Sequence, residues 1–190
     1  MQRVGYLMFV LLTATALLAQ MGGGNQSQTV TSVLESQFSN AERQFTSAAD
    51  AMPAEKYSFA PTQGAYEGVR TFGQLISHTA TANYRYCSTI LGEAPPVELG
   101  GTNGPANLKS KDEIVKFLKD SNEYCHKAYS SINEKNMLEP IKSFMGGRTS
   151  SRLDMAVGNI AHVMDEYGQV VEYLRMNGVV PPATAQRQRR

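Results

Sequence analysis

The sequence predicts an all-α fold, a four-helix bundle with a long connection between helices 2 and 3. Three observations lead there. Apolar residues recur at three- and four-residue steps in four separate stretches. Those stretches are bounded by helix signals: Thr71, the capping box Ser110-Lys-Asp-Glu113, and stops at Gly92, Gly178 and Pro181-Pro182. No run alternates apolar and polar residues between turn signals, as a half-buried strand would.

The first helix is expected over residues 29–51, where Val33, Leu34, Phe38, Ala41, Phe45 and Ala48 form one stripe and Pro53 stops it. A loop over 53–70 follows. The second helix starts after Thr71, and its inner stripe is Phe72, Leu75, Ile76, Thr79, Asn83, Tyr86 and Ile90. His78 lies on the flank of that stripe, where a side chain can reach a cleft between helices. Residues 92–108 contain four glycines and three prolines. This connection is too long for a tight hairpin between antiparallel neighbours and is expected to cross over the bundle. In the third helix Ile114, Phe117, Leu118, Ser121, Cys125, Ala128 and Ile132 share a face. Cys125 is central there; His126 falls about a third of a turn away and is expected at the surface, without chemistry. Residues 136–149 read as a loop with a short extended piece. The fourth helix runs from Ser150 or Ser151 to Met176. One face carries Leu153, Val157, Ile160, Met164, Val171 and Leu174, read as an apolar seam. The other carries Met155, Asn159, His162, Glu166 and Tyr173.

The charges nearly cancel, with a formal net charge of +1, and no basic block is interleaved with aromatics, so no nucleic-acid partner is expected. The one charge cluster is Arg187, Arg189 and Arg190, and residues 184–190 read as a basic disordered tail. Arg3 followed by an apolar run over 6–18 reads as a signal peptide over 1–19, cleaved after Ala19 or alternatively after Ala16. An uncleaved membrane anchor is the other reading of that run. A flexible linker over 20–28 and a single bundle domain over 29–183 complete the organisation, giving an exported, periplasmic or extracellular protein with no membrane attachment after cleavage. Export makes a disulfide between Cys87 and Cys125 available, the alternative being two free core thiols.

His162 and Glu166 stand one turn apart on one side of a helix. A histidine and a carboxylate at that spacing can chelate one divalent ion, and His78 is the candidate third ligand. Two imidazoles and a carboxylate suit zinc, nickel, iron or manganese and leave coordination positions open. Asp165 points about 100° away around the helix and is not expected among the ligands. Asn159 and Tyr173 are candidates for the surroundings of the site or its cleft. Nucleophile elbows, Walker loops and dinucleotide-binding glycine patterns are absent from the sequence.

Several stretches together resemble the DinB/YfiT-like superfamily of metal-dependent enzymes, which is unrelated to the DNA polymerase of similar name. They are Arg70-Thr-Phe-Gly-Gln-Leu-Ile-Ser-His78, Ala82-Asn-Tyr-Arg-Tyr-Cys87, Tyr124-Cys125, Asn159-Ile-Ala-His162, Glu166-Tyr-Gly-Gln, Tyr173-Leu-Arg and Gly178-Val-Val-Pro-Pro182. The resemblance spans about residues 31–183 and implies the bundle with its long second connection. It also implies a metal site of three histidines, one from the second helix and two, four apart, from the fourth. His78 and His162 match; Glu166 stands where the family has its third histidine. Carboxylate in that place implies either a harder site, shifted toward iron or manganese, or a weakened one. Members with known activity are thiol transferases and isomerases using low-molecular-weight thiols, and homodimers are common. An exported member would not meet the cytosolic thiol pool. The resemblance thus implies a metal-dependent hydrolase or thiol-type transferase of an unidentified small-molecule substrate; the alternative is a non-enzymatic exported bundle with a lost site, acting in binding or structure.

Overall fold

The computed structural model describes residues 27–189; the expected signal peptide and most of the linker lie outside them. The long helices begin at side-chain caps. Thr29 opens α1 (Val30–Ala51), Thr71 opens α2 (Phe72–Leu91), Ser110 opens α3 (Lys111–Ser130) and Ser151 opens α4 (Arg152–Met176), each side chain accepting a backbone N–H three residues on. In the first three, the side chain of that third residue (Ser32, Gln74, Glu113) accepts the N–H of the cap in return. α2 stops at Gly92, whose φ of 71° suits a residue without Cβ. The short extended piece is a two-stranded antiparallel hairpin, β1 (Pro140–Lys142) and β2 (Thr149–Ser151), with Ile141 opposite Ser150.

Side-chain pairs fix how the helices run. Along α2 and α3, Gly73 faces Ile114, Asn83 donates to Ser121 and Asn122, and Glu93 meets Lys127, so the two helices are parallel neighbours. The long connection therefore crosses no further than to an adjacent helix. It is long because the chain must return along a twenty-residue helix, about 30 Å, before starting a parallel one. α1 runs antiparallel to α3 (Thr46 to Asn122, Glu35 to His126), and α4 antiparallel to α2 (Gly158 to Tyr86, His162 to His78).

The core is built from Phe38, Phe45, Phe72, Leu75, Ile76, Leu118, Tyr129, Ile132, Met155 and Leu174, all essentially inaccessible. α2 is buried on nearly every side, because α3, α4 and the long connection surround it. Cys87 and Cys125 are bonded, S–S 1.99 Å, joining α2 to α3 in the core.

Three expectations need correction. The seam assigned to α4 is inward only in part: Leu174 is buried and Leu153 and Ile160 pack against the core, but Val157 is 52 % exposed and Met164 38 %, and Met155, Asn159, Glu166 and Tyr173 of the second stripe are buried too. Periodicity misled because the inward face of α4 carries polar groups with interior partners, such as Asn159 donating to the Tyr129 hydroxyl at 2.9 Å. The basic tail is not wholly irregular: α5 (Pro182–Gln188) follows Pro181, with proline at its first position, where a missing N–H costs nothing. And His126 is half-buried, held between two α1 carboxylates two turns apart, Glu35 at 2.6 Å and Glu42 at 2.8 Å.

Two outcomes follow for stability. Thiol titration under denaturing, non-reducing conditions finds no free cysteine. Reduction removes closure of a 38-residue loop, about 4 kcal/mol in the chain-entropy account, and lowers Tm by roughly 10 °C; an unchanged Tm would show that the bond adds nothing. For His126, burial opposes protonation, but hydrogen bonds to Glu35 and Glu42 outweigh it and hold its pKa above the usual value. Its stabilisation is therefore complete below about pH 6.5 and is lost as pH rises through the raised folded value. The Tm gap between wild type and His126→Gln is wider at pH 6 than at pH 9, and salt narrows it.

Candidate metal centre

α2 carries His78 and α4 carries His162 and Glu166, and the antiparallel packing of these helices brings the three together. His78 Nε2 lies 3.2 Å from His162 Nε2 and 3.5 Å from Glu166 Oε1, and His162 Nε2 lies 3.8 Å from the same oxygen. Donor atoms around one ion with bonds of about 2.1 Å stand roughly 2.9–3.4 Å apart, so the cluster needs adjustments of only a few tenths of an ångström to hold one.

The proton positions favour a cation. His78 Nδ1–H donates to the carbonyl of Thr102 at 2.5 Å, which leaves Nε2 with its lone pair facing the cluster. His162 Nδ1 and Glu166 Oε2 are buried without a hydrogen-bond partner among the described residues. Two ring nitrogens and a carboxylate converging in a largely dry place are a poor arrangement for one another and a good one for a divalent ion. Burial holds the His78 pKa below its usual value, despite the Thr102 bond. Burial, then the neighbouring His78, pushes His162 down to about 4. Both imidazoles are thus neutral, the form that ligates. Burial raises the Glu166 pKa, against the pull of Arg70.

The long connection sets this geometry. Gly104, at φ +87°, lies so close to α2 that a Cβ there would stand 2.8 Å from Ser77 Cβ, and Gly101 and Gly104 pair across a turn. The turn holds the Thr102 carbonyl over His78. Arg70 Nε donates to Asn103 Oδ1 at 2.8 Å, fastening the same segment to the approach to α2. A cleft of about 200 Å³ opens beside the cluster, lined by His78, His162, Ala82, Tyr86, Phe144 and Met145 among others. A larger depression of about 610 Å³ on the other side of Phe144 touches none of the three convergent side chains.

Of the other candidates, Asp165 is exposed and outside the cluster. Asn159 is fully buried, with its amide on Tyr129 and against the disulfide sulfurs, so it does not line the cleft. Tyr173 is buried too, its hydroxyl donating to the Arg70 carbonyl and its ring edge-on to Phe59. Thr102 was not legible in the sequence because it acts through its carbonyl; the glycines around it were the available signal.

Comparison with protein families matches residues 37–170 to the DinB superfamily. The chain belongs to the DinB superfamily. Among solved structures, this DinB member is similar to a DinB-like protein from Bacillus cereus, with TM-score 0.63, 20 % identity, and 82 % of this chain and 97 % of that one covered. A conserved protein from Enterococcus faecalis is similar at TM-score 0.61 and 17 % identity, covering 78 % of this chain and 97 % of that one. These likenesses show the fold. No curated protein matches the chain. The DinB fold and the His78, His162 and Glu166 cluster are together compatible with binding a divalent metal.

Gly104→Ala tests the role of the connection. Strain at positive φ plus the contact with Ser77 costs about 1–3 kcal/mol, and displacing the Thr102 carbonyl weakens metal binding about tenfold. Calorimetry of metal binding that shows no change would remove the connection from the site's support.

Proposed function

We propose that the protein is an exported enzyme dependent on a divalent metal, a hydrolase or thiol-type transferase acting on a small molecule, with His78, His162 and Glu166 as the metal ligands. The observation that carries this is the convergence of three donor atoms from two helices beside a cleft, with the tautomer of one ligand set by the Thr102 carbonyl. Three protein ligands leave coordination positions open to a substrate, unlike a closed structural site. A divalent ion held there supplies Lewis acidity toward a water, thiol or carbonyl. The chain's own residues do the rest. His78 is held in one orientation by Thr102, so its Nε2 needs no reorganisation to ligate. Glu166 supplies negative charge to the cation and shifts the preference toward iron or manganese relative to three imidazoles. Phe144, edge-on to Tyr86 at 5.0 Å, helps keep water from the cleft.

Export is supported by the N-terminal basic and apolar pattern, and the Cys87–Cys125 bond suits an oxidising compartment. No helix among the described residues is long and apolar enough to cross a membrane.

Metal analysis of protein purified without a histidine tag gives about one divalent ion per chain. Glu166→Ala lowers the affinity at least tenfold, while Glu166→His retains binding and moves the preference toward zinc. Metal-free protein that gains no thermal stability from zinc, nickel, manganese or iron would sink this reading and leave a non-enzymatic bundle.

A further inference from the structure

Residues 143–148, the turn of the β1–β2 hairpin, place polar and apolar groups the opposite way round from an ordinary surface loop. Ser143 is buried, whereas the next two side chains, Phe144 and Met145, are 40 % and 46 % exposed. Three hydrogen bonds fix that arrangement. Ser143 N–H donates to the Arg148 carbonyl at 2.9 Å, Met145 N–H to Ser143 Oγ at 3.1 Å, and Gly146 N–H to the Phe144 carbonyl at 3.1 Å. Holding two adjacent large apolar side chains in water costs free energy that polar residues in the same turn would not. Both side chains line the cleft beside the candidate metal centre. Their exposed surface therefore belongs to one concave apolar site and is not scattered over the exterior.

The cleft is carbon almost throughout. Ala82 and Tyr86 line it from α2, Phe144 and Met145 from the hairpin. Thr81 Oγ1 is buried, so Thr81 contributes carbon, and so little of the wall is polar that Arg85 borders it with its aliphatic stem. Gly158 on α4 makes room for Tyr86: a Cβ there would stand 3.3 Å from its ring. Phe144 meets that ring edge-on, with 5.0 Å between centroids and 85° between planes. A corner of two rings, with Met145 in the same wall, offers a third ring edge-to-face and sulfur contacts that an alkyl chain does not gain. The cleft measures about 200 Å³. An apolar cavity of ~150 Å³ suffices for benzene, whereas drug-sized ligands need ~300–1,000 Å³. The space is that of one ring with a short substituent. His78 and His162 line the same cleft, so a ring seated there lies against two of the three convergent side chains.

We infer that this cleft seats the uncharged aromatic ring of a small substrate whose other end reaches the metal. Seating the ring covers Phe144 and Met145 and releases the water held against them. A charged substituent turned into the cleft finds no partner there and is rejected. The inference rests on the proposed function for the metal-bound end only; the seat for the ring is carbon surface and needs no ion.

The test is calorimetric titration of the mature chain, metal-free and metal-loaded. Toluene, which has no metal-binding atom, binds both forms of the wild type. Benzoate binds the metal-free form at least tenfold more weakly than toluene does. Ala82→Leu fills the cleft from α2 and abolishes toluene binding with metal content unchanged. Phe144→Ala, a change on the surface hairpin, weakens toluene binding severalfold. Metal-loaded wild type binds benzohydroxamate at least tenfold more tightly than acetohydroxamate, and Ala82→Leu removes the difference. Thermal melts establish that each variant is folded, and Phe144→Ala serves if Ala82→Leu is not. Absence of toluene binding, or toluene binding undiminished in the folded variants, overturns the inference. So do equal affinities for the two hydroxamates, with the metal reading left intact. Toluene binding through Ala82 and Phe144 in a protein that holds no metal keeps the aromatic seat and removes the metal reading.

Discussion

The site depends on one hydrogen bond, from His78 Nδ1–H to the Thr102 carbonyl. Without it, His78 could place its proton on either nitrogen and turn about its side-chain bonds. With it, a lone pair is directed at His162 and Glu166. The bond has a topological cause. α2 and α3 run parallel, so the chain between them must travel back along the bundle, and on that return it lies against the flank of α2 where His78 sits. A short hairpin between antiparallel helices would have left that flank uncovered.

Around this arrangement, polar pins hold the helices in register. Asn83 on α2 donates to Ser121 and Asn122 on α3, and Asn122 reaches Thr46 on α1. Asn159 on α4 donates to Tyr129 on α3 beside the disulfide. Apolar packing alone tolerates sliding of one helix along another, whereas a buried amide has its partner in one register only. The pins lie one to two turns from His78, His162 and Glu166, so they restrain the separation of α2 and α4 on which the spacing of these three depends.

What could be read from the sequence was local or periodic. Thr71, Ser110 and Ser151 announced helix starts because a cap is a bond within four residues, and Gly92 announced a stop for the same reason. His162 and Glu166 declared themselves as a pair one turn apart, and His78 as a residue on a flank. The failures have an equally definite origin. Val157 and Met164 were read into the α4 seam because their apolarity fits its spacing, whereas they are exposed and the second stripe is inward through Asn159 and Glu166, which meet groups on other helices. Phe144 and Met145 came from a segment read chiefly as a loop, and only the β1–β2 pairing sets them over the site.

The hairpin divides labour in the molecule. His78, His162 and Glu166 project from two long helices whose burial and pins allow little change. The wall facing them comes from a surface excursion between α3 and α4, with both Gly146 and Gly147 at positive φ in its turn. Its length and composition can vary without opening the core, since insertions at such turns cost little. The wall over the cleft can therefore change while the spacing of His78, His162 and Glu166 stays as the two long helices set it.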